Sequence, residues 1–361
     1  MPGGSGPDRV DTSGNGHRER RRGRKRVKGS MVPEAEFTSY YGRPILKKPT
    51  WKNPDVPIYL WVGGMAGSSA VVAAVAVVTG RPVLRRGGRL VAVGGAMAGT
   101  VALIHDLGRP ERFLNMLRVI KPTSPLSIGS WILSPFAAFA SAAAASEVTG
   151  IAPGLGRLAG WGAALFGPPL ASYTGVLFAD TAIPAWHEAR DELPLLFAAS
   201  GAAAGAGAQL VVTGLTGADL RERTPAVRLA VAGAAAELVV GQLLERRLDP
   251  LPGGVADAYR TGKSGRWNRL ARVFTAAGGL GALLAALGGR RGRVAAVASG
   301  AALAAGSLAT RFAVFEAGLA SAADPDHVVA PQRARLATAG PASADGSWLE
   351  NEKTTRPVPR T

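Results

Sequence analysis

The chain has 361 residues, no cysteine, four histidines, a formal net charge of +17 and a mean hydropathy of +0.14. Without cysteine, thiolate-held iron–sulfur clusters and disulfides within the chain are excluded. Two of the histidines, His17 and His327, fall in polar terminal segments, so paired axial ligands on spanning helices are not available and no haem, flavin or cluster is expected here.

Residues 1–56 are polar and rich in Pro and Gly, and they hold 13 Lys/Arg, densest in RERRRGRKRVK (18–28). This reads as a disordered basic tail that sets orientation and contacts anionic lipid, with about 1 kcal/mol expected per basic residue near the surface. It accounts for much of the net charge, and a nucleic-acid partner is not expected. Met31 is an alternative candidate start.

Eight apolar stretches follow: Pro57–Gly80, Arg89–Ile104, Ser127–Glu147, Leu158–Leu177, Leu193–Leu215, Thr224–Leu244, Leu270–Gly288 and Val294–Phe315. Each is 16–24 residues long, and a bilayer core of roughly 30 Å takes about 20 apolar residues as a helix. Helices satisfy their own backbone polar groups in lipid. The expected fold is therefore an all-α membrane bundle of eight transmembrane helices over 51–320, flanked by disordered tails at 1–50 and 321–361. Gly/Ala-rich runs such as GGMAGSSA (63–70) and ASGAAAGAGA (199–208) read as close helix contacts. Eight spans place both tails on one side, the N-side. With Arg89 and Arg228 at the span ends counted, the loops of the two sides carry 11 Lys/Arg each, so Lys47, Lys48 and Lys52 decide for a cytoplasmic N-side at the plasma membrane.

Most polar interruptions fall at that N-side end. Asn53 and Asp55 precede the first span and Tyr59 and Trp61 lie in its first turns. The second span ends in His105-Asp106. The fourth ends in a segment holding Tyr173, Asp180 and His187, and the eighth in Arg311 and Glu316. Asp180 sits between apolar LFA and TAIP, and a carboxylate at membrane depth usually marks a pathway or site. Glu237, mid-span in the sixth stretch, is the other such group; it reads equally as part of a proton path or as an arginine partner.

Four motifs in order, NPDVPIYLWVGGMAG (53–67), DLGRPERF (106–113), SPLSIGSWIL (124–133) and YTGVLFADTAIPAWHEARDELPLLFAASG (173–201), resemble the NrfD/PsrC family. These are integral membrane subunits of polysulfide reductase, formate-linked nitrite reductase and related molybdopterin or hydrogenase complexes. The resemblance covers residues 50–215 well; beyond them RFAVFEAG (311–318) is its main support.

The resemblance implies eight helices without redox centres, binding menaquinone or ubiquinone near the surface that faces an iron–sulfur, ferredoxin-like partner linked to a molybdopterin-type catalytic subunit. Tyr173, His105, Asn53 and Tyr59 are then the candidate quinone contacts. Asp180, Asp106 and Glu316 are candidate proton carriers, and Arg109 and Arg112 candidate docking contacts for the partner; no metal site is expected. Some relatives carry a histidine in the first helix, where this chain has Tyr59 and Trp61. Many relatives face an exported partner, whereas the basic tail here argues for a cytoplasmic one. A plain membrane anchor without a quinone site and a transporter remain the alternatives.

Overall fold

The computed structural model describes residues 45–47, 49–107 and 115–339. Among these residues the chain is helical, without strands, and it is dominated by eight long helices: α1 (Asp55–Val78), α2 (Pro82–Leu107), α3 (Pro125–Thr149), α4 (Pro153–Ala179), α5 (Glu192–Leu215), α6 (Leu220–Leu248), α7 (Gly262–Leu284) and α8 (Gly289–Ala323). Each contains one of the expected apolar stretches or most of it.

Six of them, α1, α2, α3, α5, α6 and α8, are long and apolar enough to cross a membrane. The expected count of eight is therefore not reached by length and composition. The two that fall short have visible reasons. Helix α4 carries Pro153, Pro168, Pro169 and six glycines, and the first half of α7 carries Lys263, Arg266, Arg269 and Arg272.

The helices form two four-membered rings. In the first, α1 packs on α2, α2 on α3, α3 on α4 and α4 on α1; in the second, α5–α8 repeat this pattern. Contacts of α1 and α4 with α5, and of α1 with α8, join the rings. Backbones touch inside each ring: a Cβ on Gly67 or Gly167 would strike the other's carbonyl across α1/α4, and Gly207 and Gly300 stand in the same relation across α5/α8. In lipid such close approach supplies the packing that the hydrophobic effect supplies in water.

Helix α2 runs past its apolar stretch with the charges at its start paired. Arg85 and Arg89 lie inside α2, held by Glu147 of α3 at 3.0 and 2.8 Å. At the other terminus the expected disordered segment from 321 is instead helical as far as the structure describes it. Helix α8 continues to Ala323 and α9 spans Pro325–Ala339. Asp324 Oδ1 accepts the Asp326 amide at 3.0 Å and Pro325 takes the first helical position, where its missing N–H costs nothing. His327, expected in the tail, is a buried residue of α9, and Arg335 pairs with Glu188.

Candidate functional site

The start of α1, the ends of α2, α4 and α8, and the α4–α5 connection meet at one end of the bundle. Two polar patches form there over a common aromatic floor.

The floor is built by the connection after α4. Helix α4 stops at Asp180, and a single helical turn, Pro184–His187, turns the chain back into α5. Trp186 of that turn is fully buried. Its indole N–H donates to Val314 O at 2.7 Å, and its ring lies 4.4 Å from Phe178 and 5.6 Å from Trp51. Phe178 also meets Phe197 edge-on at 5.8 Å. Aromatic contacts of this kind contribute about 0.5–1.5 kcal/mol each beyond area burial. The Ala185 amide donates to Ser321 Oγ at 3.2 Å, and Tyr259 Oη donates to Ala185 O at 3.1 Å. Burial raises the Tyr259 phenol well above its ordinary pKa, so it remains a donor.

The first patch joins α1, α2 and α8. His105 Nδ1 meets Asp55 Oδ2 at 2.6 Å, leaving Nε2 directed away from that contact on a largely exposed side chain. The Lys52 amide donates to Asp106 Oδ1 at 2.9 Å and Lys52 Nζ to His105 O at 2.8 Å. Asn53 Nδ2 donates to Glu316 Oε1 at 2.8 Å. Asn53, His105, Asp106 and Glu316 thus fall together, with Asp55 and Lys52 as members that sequence reasoning did not select. One amide hydrogen of Asn53 is committed to Glu316, which makes that residue in part a holder of the carboxylate.

The second patch is an open groove of about 600 Å³ between the start of α3 and the end of α4. Its walls include Pro125, Ile128, Val176 and Ala179; its polar groups include Tyr173, Asp180 and His187, with Arg190 and Asp191 beyond them. Tyr173 reaches the groove because Gly129 lies against its ring, where any Cβ would overlap the aromatic carbons. Asp180 ends α4 with its side chain exposed, and no described residue bonds its carboxylate. The rim beside Pro122 is tied down by Ser127, whose hydroxyl donates to Val119 O at 3.1 Å and accepts the Lys121 amide at 2.9 Å.

Tyr59 connects the patches: it is buried, within electrostatic range of both Tyr173 and Asp106. The nearby Trp61 indole N–H is buried without an acceptor among the described residues.

Sequence reasoning placed Tyr173, Asp180, His105, Asp106, Asn53 and Glu316 together at one membrane edge; the structure divides them between the groove, which holds Tyr173 and Asp180, and the first patch, which holds the other four. That reasoning named His187 at that edge without giving it a role and did not select Arg190; the reversal after Asp180 carries both into the groove. Arg109 and Arg112 lie outside the described residues. Arg311 is not an edge residue. It is wholly buried between the rings, with Nη2 donating to Phe197 O at 2.9 Å and the guanidinium 3.9 Å from the Phe197 ring centre. It lies within electrostatic range of Glu237, which accepts from Thr310 Oγ1 at 2.6 Å and Thr275 Oγ1 at 3.3 Å. Among the described residues no ion pair joins Glu237 to an arginine, and the two threonine hydroxyls are hydrogen-bonded to its carboxylate. Among the described residues no group of three or more His, Cys, Asp or Glu is placed to hold a metal ion.

A family model described as polysulphide reductase, NrfD, matches residues 48–323. No curated protein matches the chain.

Proposed function

Because the chain belongs to the NrfD polysulphide-reductase family, we propose that it is the quinone-interacting membrane anchor of an oxidoreductase complex. It passes electrons between menaquinone or ubiquinone and an iron–sulfur partner linked to a molybdopterin-type catalytic subunit. The observation that carries this reading is the groove: an open cleft with apolar walls, lined also by a phenol and a carboxylate from one helix.

The residues fit a quinone head. A bound quinone supplies two-electron, two-proton chemistry. Tyr173 Oη donates a hydrogen bond to a carbonyl oxygen in the groove. Asp180, about two helical turns or ~10 Å further along α4, holds a proton at the groove mouth and exchanges it with water. Ile128 and Val176 exclude water from the ring-binding walls. In the neighbouring patch Asp106 and Glu316 are further proton carriers, with His105 and Tyr59 as second donors. Arg109 and Arg112 dock the partner by charge complementarity; reversing both charges should abolish co-purification of the partner, and an intact complex would refute the assignment.

The functional test is quinone content. Wild-type chain purified in mild detergent should retain extractable quinone. Tyr173→Phe should bind it on the order of fivefold more weakly, the loss of about one hydrogen bond. Equal affinity in both would remove Tyr173 from the site.

All eight long helices cross the bilayer in this reading, with both tails at the cytoplasmic face of the plasma membrane because the N-terminal segment is basic. The cysteine-free background allows a direct check. Single cysteines within 81–88 and 289–292 should label from the side opposite to cysteines at 115 or 330. Same-side labelling would break the eight-span topology.

A further inference from the structure

The end of the second ring opposite the groove holds more arginines than acids. Arg221, Arg223, Arg290, Arg291 and Arg293 cluster around the α5–α6 turn and the start of α8, and among the described residues none has a carboxylate partner. The first ring treats its arginines differently at this same end, where Glu147 holds both Arg85 and Arg89.

Within the cluster lies a pocket of about 490 Å³, lined by Arg221, Arg223, Arg293, Asp219 and the glycines that begin α8. Three arginines face one aspartate there, an excess of two positive charges. The aspartate is already engaged, its Oδ1 accepting the Glu222 amide at 2.9 Å. Arg223 is 2 % exposed; Nη1 and Nη2 donate to Ala285 O and Ala218 O, both at 3.1 Å, and its buried Nε has no acceptor. The Arg293 guanidinium packs on Gly217, so the two cations flank the 217–218 turn. Helix α8 begins at Gly289 with no side-chain cap and no acidic residue in its first turn. A positive helix end surrounded by arginines is electrostatically unfavourable unless an anion joins it.

We propose that this pocket binds the phosphate of an anionic phospholipid in the leaflet at this end of the protein. The collar around it identifies the lipid. Leu215, Leu220, Leu284, Leu287 and Val294 are all exposed, Leu215 at 73 %, and they border the polar pocket in the chain. A soluble anion gains nothing from that collar, whereas a phospholipid seats its head on the arginines and its acyl chains along the leucines. Arg223, held by two backbone carbonyls, and the exposed Arg293 present N–H donors to a phosphate oxygen. The assignment stands apart from the quinone reading, since the pocket lies at the opposite end.

The experiment uses the full-length chain in neutral detergent, with native mass spectrometry reading bound lipid. Dioctanoyl phosphatidylglycerol should bind about tenfold more tightly than dioctanoyl phosphatidylcholine. Arg293→Gln, at an exposed position, should reduce the phosphatidylglycerol affinity by about fivefold. Arg293→Lys should retain most of it, and Arg86→Gln in the first ring should leave it unchanged. Equal binding of the two lipids, or full binding by Arg293→Gln, overturns the proposal. Displacement of phosphatidylglycerol by millimolar inorganic phosphate overturns the lipid assignment in favour of a soluble anion.

Discussion

Membranes carrying Asp180→Asn are expected to turn over quinone on the order of a hundredfold more slowly than wild type, the lower range of what a positioned acid or base contributes. The rate of the catalytic partner with a soluble artificial acceptor should be unchanged. The substitution keeps the shape of the side chain and removes its capacity to carry a proton. It also leaves the fold alone: the carboxylate is exposed, no described residue bonds it, and the helix end is closed by the Asp180 amide on Val176 O at 2.9 Å, a backbone contact that asparagine preserves. Slower turnover at wild-type thermal stability is therefore the signature of a proton carrier. Wild-type turnover would assign that role to Asp106 or Glu316 in the neighbouring patch.

The second large effect falls on stability. Arg311→Met should destabilise the chain by about 1–3 kcal/mol, through loss of a charge-assisted hydrogen bond to the Phe197 carbonyl and of a cation–π contact. Arg311 is fully buried and donates to a backbone carbonyl of α5; its cation rests on the Phe197 ring, and it faces Glu237 of α6. Gly64 of α1 gives it room, since a Cβ there would come within 3.2 Å of Nη2. One side chain thus touches both rings. Its removal leaves the Glu237 carboxylate with two threonine hydroxyls and no cation. The double variant Arg311→Met/Glu237→Gln should lose markedly less than the sum of the two single variants. Thermal unfolding of all four proteins in detergent measures this coupling, and strict additivity would show that the two groups do not interact.

The positions of the helices were legible in the sequence because apolar runs of membrane length separated by polar breaks leave few other structures. Their ends were less legible. Arg85 looks like a loop residue, and Arg89 like a span boundary, until Glu147, on another helix, neutralises them. The shortfall of α4 and α7 against a simple apolar measure has a similar origin, since prolines and arginines in a helix lower its hydropathy whether or not neighbouring helices accommodate them.

The grouping of part of the candidate site was equally legible. Tyr173 and Asp180 lie seven residues apart on one helix, so local geometry alone sets them on one face. His187 and Arg190 reach the same groove only because the chain reverses after Asp180, and Trp186 pins that reversal from α8 through Val314. Arg311 misled for the opposite reason. Its neighbours Phe315 and Glu316 suggest an edge, but the residues that receive it belong to α5 and α6, and no spacing within α8 encodes that meeting.

The central claim, that a quinone head occupies the groove beside Tyr173, is tested most directly by photoaffinity labelling. A photoreactive azido-quinone is illuminated with the wild-type chain in native membranes, and the labelled peptides are mapped by mass spectrometry. The label should fall on the segments that wall the groove, 122–128 and 173–180, and excess unmodified quinone should suppress it. Saturable labelling confined to other segments, with none at 122–128 or 173–180, would contradict the account.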